Sequence, residues 1–218
     1  MRAIFFDASG VLYDRRGSTA ELLARLLGER GYRAELDAPA HAERARLNGL
    51  AKTGGIDARE LWDRVLRLHG VESEVERREL IGHVFEAAHE VFALPGVPDA
   101  LIELDRRGLA LGVISDTIYP ESWKRRWLAV VGVLDILDVV VCSNVVGARK
   151  PDPAIYRAAL DRAEVPASES AFVGHDAREL EGALAVGMLT VGIGAGGGDH
   201  RLDSLGDLPS LLARGRIV

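Results

Sequence analysis

The chain has 218 residues, 48% hydrophobic and 28% charged, with a net charge of −6. That balance belongs to a folded globular chain rather than a disordered one, and no apolar run nears the roughly 20 residues of a membrane helix. The negative charge argues against non-specific binding to nucleic acid or to an anionic membrane, because both reward a basic face.

At the N-terminus, Ala3-Ile4-Phe5-Phe6 reads as a short buried strand that ends at Asp7. The apolar stretch is too short for a secretory signal, so a cytoplasmic protein is expected. From about residue 18 to 92 no strand-like run appears and helical periodicity dominates. Leu22, Leu23, Leu26 and Leu27 line one face, Leu61, Val65 and Leu68 another, and Leu80, Val84, Ala88 and Val91 a third. Leu94-Pro95-Gly96 ends this stretch.

Strand and helix then alternate. Residues 110–115, 139–142, 170–173 and 189–193 read as strands, and 97–107, 120–130, 153–163 and 178–186 as helices. Apolar, β-branched runs of this length suit a parallel sheet covered on both faces. The order predicts an α/β open sheet with ligands beyond the carboxyl ends of its strands.

Chemistry-bearing residues fall at those ends. Asp7 leads into the turn Ala8-Ser9-Gly10, whose backbone amides can cradle an anion. The next strand ends in Ser115-Asp116, the third is followed by Arg149-Lys150-Pro151, and the fourth by Gly174-His175-Asp176-Ala177-Arg178-Glu179. A carboxylate, a hydroxyl, a lysine and an acidic turn thus follow one another at successive strand ends.

In that order the motifs resemble the haloacid dehalogenase (HAD) superfamily, in members with a helical cap inserted after the first motif. The resemblance runs through essentially the whole chain. It implies a Rossmann-like core over residues 1–16 and 93–218 and a helical cap over 17–92. It further implies that Asp7 attacks phosphorus to form an aspartyl-phosphate, with Ser115 and Lys150 on the phosphoryl oxygens. A magnesium ion would sit among Asp7, the Ser9 carbonyl and the fourth motif, and the substrate would be a small phosphorylated molecule.

Two positions depart from the family's phosphatase pattern. Ser9 stands where an aspartate would protonate the leaving group, and general acid–base help is worth about 10²–10⁴-fold. In the fourth motif, one alignment sets His175 and Glu179 at the two acidic positions, and another slides Asp176 into the first. Asp176 is the expected ligand, because Mg²⁺ prefers hard oxygen donors. Glu179 is then a ligand or an anchor for Lys150. Asp116 stands where the family often has asparagine.

Relatives without the second aspartate widen the alternatives to a dehalogenase-like attack on carbon or a phosphonatase-like use of a cap lysine, here Lys52. A HAD fold that binds a ligand without turnover is the third. Lys52 itself is expected on the surface, as lysines usually are.

Other signals have structural explanations. Cys142, the one cysteine, sits in an apolar run as a small buried hydrophobe. His83 and His89, and the three tryptophans, are expected to pack or face solvent, with Trp62 meeting substrate if its helix faces the crevice. The glycines of 192–198 read as a loop rather than a dinucleotide site.

Overall fold

The computed structural model describes residues 1–194 and 197–213. Strand β1 (Ala3–Phe6) is buried along its whole length. A tight turn follows, in which the Leu12 and Tyr13 amides donate to the Ala8 carbonyl, and leads into β2 (Tyr13–Arg15). Four helices come next: α1 (Thr19–Glu29), α2 (Ala38–Lys52), α3 (Ala58–Leu68) and α4 (Glu74–Ala88). Each begins where a short polar side chain accepts an amide that has no partner in the first turn. Ser18 accepts from Glu21, Asp37 from Ala40, Asp57 from Glu60 and Ser73 from Glu76. The chain returns as β3 (Val91–Ala93), antiparallel to β2, with Tyr13 opposite Ala93 and Arg15 opposite Val91.

From there helix and strand alternate: α5 (Val97–Arg106), β4 (Ala110–Ser115), α6 (Glu121–Val130), β5 (Val139–Cys142), α7 (Ser143–Val146) and α8 (Pro153–Ala163). Then come β6 (Ser170–Gly174), α9 (Ala177–Ala185), β7 (Leu189–Ile193), β8 (His200–Leu202) and α10 (Leu208–Ala213). Six strands form one parallel sheet in the order β5-β4-β1-β6-β7-β8. Successive side chains point to opposite faces. In β1, Ile4 and Phe6 enter one core cluster while Ala3 and Phe5 enter the other. Because β1 has β4 on one side and β6 on the other, its carboxyl end opens at the switch point where ligands bind in such sheets.

The four inserted helices share a third cluster that includes Leu27, Leu47, Leu61 and Leu80. Buried Arg77 ties two of them, donating to Asp63 at 2.6 Å and to the Val71 and Glu72 carbonyls. Phe85 and Ile118 pack against both this cluster and the sheet. None of the described helices is long and apolar enough to cross a membrane.

The five expected strands appear within a residue of their expected bounds. The stretch read as wholly helical, however, ends in β3, and its partner β2 was also unforeseen. Three residues with one buried side chain each carry too little periodicity to declare a strand. Strand β8 and helix α10 were missed for the same shortness. Cys142 is fully buried, as expected. Part of the glycine loop, residues 195 and 196, lies outside the described residues.

One close contact positions the last motif. A Cβ on Gly182, in α9, would stand 2.7 Å from both the Cβ and the carbonyl oxygen of Pro151. Helix α9 can lie against the Lys150-Pro151 segment because this position has no side chain.

Candidate active site

Asp7 follows β1 and is buried, with its amide bonded to the Val173 carbonyl. Lys150, wholly buried, donates to Asp7 Oδ1 at 2.5 Å and forms an ion pair with Glu179 Oε2 at 2.7 Å. His175 Nδ1 lies 3.3 Å from Asp7 Oδ2. The nucleophile candidate therefore has a lysine on one oxygen and an imidazole on the other.

Electrostatics follow from this packing. Burial alone would push the Asp7 carboxyl up, but the Lys150 charge and the bonds from His175 and Lys150 override it and hold Asp7 well below the carboxylate range. Burial disfavours the Lys150 ammonium, yet Asp7 and Glu179 raise its pKa. Glu179 is pushed up by burial against the opposing pull of Lys150. His175 is raised by its bond to Asp7.

The structure brings most of the expected residues to one rim and gives some of them unexpected work. Ser115 ends β4, buried, on the strand beside β1. Asp116, which had no clear role, accepts from the Lys150 amide at 3.0 Å and so ties the β4 end to the lysine loop. Glu179 is the lysine anchor. Lys52, expected on the surface, keeps 36% of its side chain exposed and reaches to 4.0 Å from Asp116 Oδ2. His89 accepts from Trp127 Nε1 at 3.0 Å, a satisfied packing role, and His83 lies half in solvent.

Magnesium needs several hard oxygen ligands in near-octahedral array. Here Glu179 is paired with Lys150. Asp176 accepts from the Arg178 amide at 2.8 Å to cap α9 and pairs with the Arg178 side chain. An imidazole stands at Asp7 Oδ2. Among the described residues no three His, Cys, Asp or Glu side chains gather in a metal-binding group. Of the expected ligands, Asp7 and Asp176 are the carboxylates that would hold the ion, and Asp176 also caps α9 through Oδ1.

Two residues absent from the sequence reading, Arg15 and Lys124, complete the surroundings. Ser9 and Asp116 wall a cavity of about 270 Å³ together with Lys52, Trp62, Arg15 and Lys124. Lys124 is buried and donates to Tyr13 Oη at 2.5 Å. One signal was available: the chain has only three lysines, Lys52, Lys124 and Lys150, and all three come to this site.

Comparison with known proteins identifies the family. Residues 1–187 match the family model of haloacid dehalogenase-like hydrolases. The (S)-2-haloacid dehalogenase 1 of Pseudomonas sp. (strain CBS-3) is 31% identical over 149 residues, 64% of this chain and 65% of that relative. A glyceraldehyde 3-phosphate phosphatase of Methanothermobacter thermautotrophicus is 29% identical over 88% of this chain and 84% of its own length. The crystal structure of a 2-haloacid dehalogenase from Pseudomonas syringae pv. Tomato DC3000 superimposes with a TM-score of 0.73 at 25% identity, covering 99% of each chain. The chain belongs to the haloacid dehalogenase-like hydrolases.

Proposed function

We propose that this hydrolase cleaves a small anionic substrate through an aspartyl-enzyme intermediate on Asp7, and that its leaving group departs without receiving a proton. The observation behind this reading is an ionised, buried Asp7 flanked by Lys150 and His175, with Ser9 at the position where a protonating aspartate would stand. A carboxylate approaching an anionic centre needs neighbouring positive charge. Lys150, fixed by Glu179, supplies it here with His175 beside Oδ2, and no step is assigned to magnesium. Oδ2, the more loosely held oxygen, is the attacking atom, and Ser115 offers its hydroxyl to an oxygen of the substrate. The four inserted helices serve as the cap over residues 17–92, with Lys52 and Trp62 on its substrate side.

Acyl phosphates are the first substrate class, since a carboxylate leaves unaided. A second reading, displacement of halide from a 2-haloacid, is favoured by the same Ser9, because halide leaves unprotonated and needs no acid there.

Acetyl phosphate and 2-chloropropionate, assayed with and without chelator, test the proposal. Asp7→Asn should cut turnover by at least about 10³-fold. Heavy-oxygen water then separates the two readings. Label enters released phosphate if Asp7 attacked phosphorus, and the Asp7 carboxylate if it attacked carbon. Turnover that survives Asp7→Asn overturns the reading. Tight phosphate-analogue binding with no turnover on either substrate would instead mark a ligand-binding fold.

A further inference from the structure

The cavity beside Ser9 and Asp116 is rich in hydrogen-bond donors that lack acceptors. Lys124 brings an ammonium with three N–H groups and spends one on Tyr13. The faces of Tyr13 and Trp127 lie against it, with ring centroids 5.2 and 4.9 Å from Nζ, and the Asp7 charge favours the ammonium from beyond ion-pair distance. Arg15 lays its guanidinium over Trp127 at 4.8 Å and Tyr119 at 5.9 Å, and donates once, to the Ala88 carbonyl at 3.4 Å. Among the described residues neither cation has a carboxylate within ion-pair distance. Trp62, buried in the same wall, has its Nε1–H near the Tyr119 hydroxyl but outside good hydrogen-bonding geometry.

Aromatic faces offset part of the cost of burying a cation, but they accept no conventional hydrogen bond. A buried charge without a counter-ion costs several kcal/mol in typical proteins. Accordingly, burial pushes the Lys124 ammonium down to about 8. The one carboxylate lining this space, Asp116, already receives the Lys150 amide and faces Lys52. Arg15, Lys124 and Trp62 all bring unmet donors to this wall, two of them cationic, so the partner that would satisfy them together is an acceptor carrying negative charge.

We infer that this cavity is a subsite for a second anionic group on the substrate, an oxyanion seated between Arg15 and Lys124 with Trp62 donating to it. The inference rests on the proposed function only in taking Asp7 as the reacting end. A carboxylate or a phosphate would satisfy the same donors. Substrates with such a tail would be held with the tail under the helices and the scissile bond at Asp7.

Malonate and inorganic phosphate, titrated calorimetrically into the purified chain, serve as probes. At least one should bind, and Arg15→Gln and Lys124→Met should each weaken that binding by about tenfold or more, as expected for a lost charge-assisted bond. Malonate binding alone identifies a carboxylate tail, and phosphate binding alone a phosphate tail. Without ligand, Lys124→Met should melt no lower than the parent, since it removes an unpaired charge; a lysine serving structure only would lower the melting temperature. Asp7→Asn should abolish turnover yet keep the malonate or phosphate site, so failure of the catalytic reading leaves this result standing. Absence of binding by both anions at about 10 mM, a weak-affinity limit, overturns the inference. So does binding that neither Arg15→Gln nor Lys124→Met alters, which would place the anion elsewhere.

Discussion

Asp7 accepts from Lys150 on one oxygen and from His175 on the other, and each partner has its own physical signature. His175 is raised by Asp7, so its contact stabilises the fold fully below the ordinary imidazole pKa of about 6.5. The contribution fades as pH climbs through the higher folded value. NMR titration should therefore find His175 above about 6.5 in the parent chain and shifted back down in Asp7→Asn. A His175 that titrates at or below that value in the parent contradicts the contact. Asp7, Ser115 and Lys150 were legible beforehand because each follows a strand that periodicity identifies. Arg15 and Lys124 were not, since their part depends on which side of β2 and α6 turns inward. Spacing also left His175 and Asp176 competing for the first place of the fourth motif, and left Glu179 as either a ligand or an anchor for Lys150. Asp176 caps the helix start, and Glu179, one turn further, points back to the lysine.

Among the elements, the long helices declared themselves through apolar stripes and through Ser or Asp at their starts. The β2–β3 pair stayed hidden, because its identity comes from pairing across the insertion and not from either strand's own pattern. The loop after α2 makes a contact that sequence could not show. Gly54 has a φ of 76°, and a Cβ there would collide with the Asn144 carbonyl oxygen in α7. Only glycine meets both demands at little cost. Gly54→Ala should lower unfolding stability by about 1–2 kcal/mol or more in a denaturant titration. Gly28→Ala, within α1 and facing open space, should be neutral or stabilising by up to about 1 kcal/mol. Equal effects at the two positions would show that the contact with α7 is unimportant.

For the whole molecule, composition and alternation were enough to announce a parallel sheet with an inserted helical layer, but not how the layer is joined. Arg16 donates to the Glu90 carbonyl at 3.1 Å, so the two ends of the insertion lie side by side. The inserted helices also have their own apolar cluster, touching the sheet's cluster through Phe85 and Ile118. A chain in which residues 17–89 are replaced by a short turn should still fold cooperatively, as followed by circular dichroism during thermal unfolding. It should bind the anion more weakly, since Trp62 and the covering helices leave with the insertion while Arg15 and Lys124 stay. Failure to fold would mean that the core depends on the helices, against the division into core and cap proposed above.

The approach of α9 to Pro151 reaches further than packing. Glu179 meets Lys150 only because the helix backbone can settle against that segment, and the settling is permitted at Gly182. The charge on the nucleophile's partner is thus governed by a position that has no functional group. A catalogue of reactive side chains would omit Gly182, whereas a survey of mutational tolerance would rank it beside Asp7. Activity in this architecture can be lost with every reactive group intact, through a single methyl group that lifts one helix away.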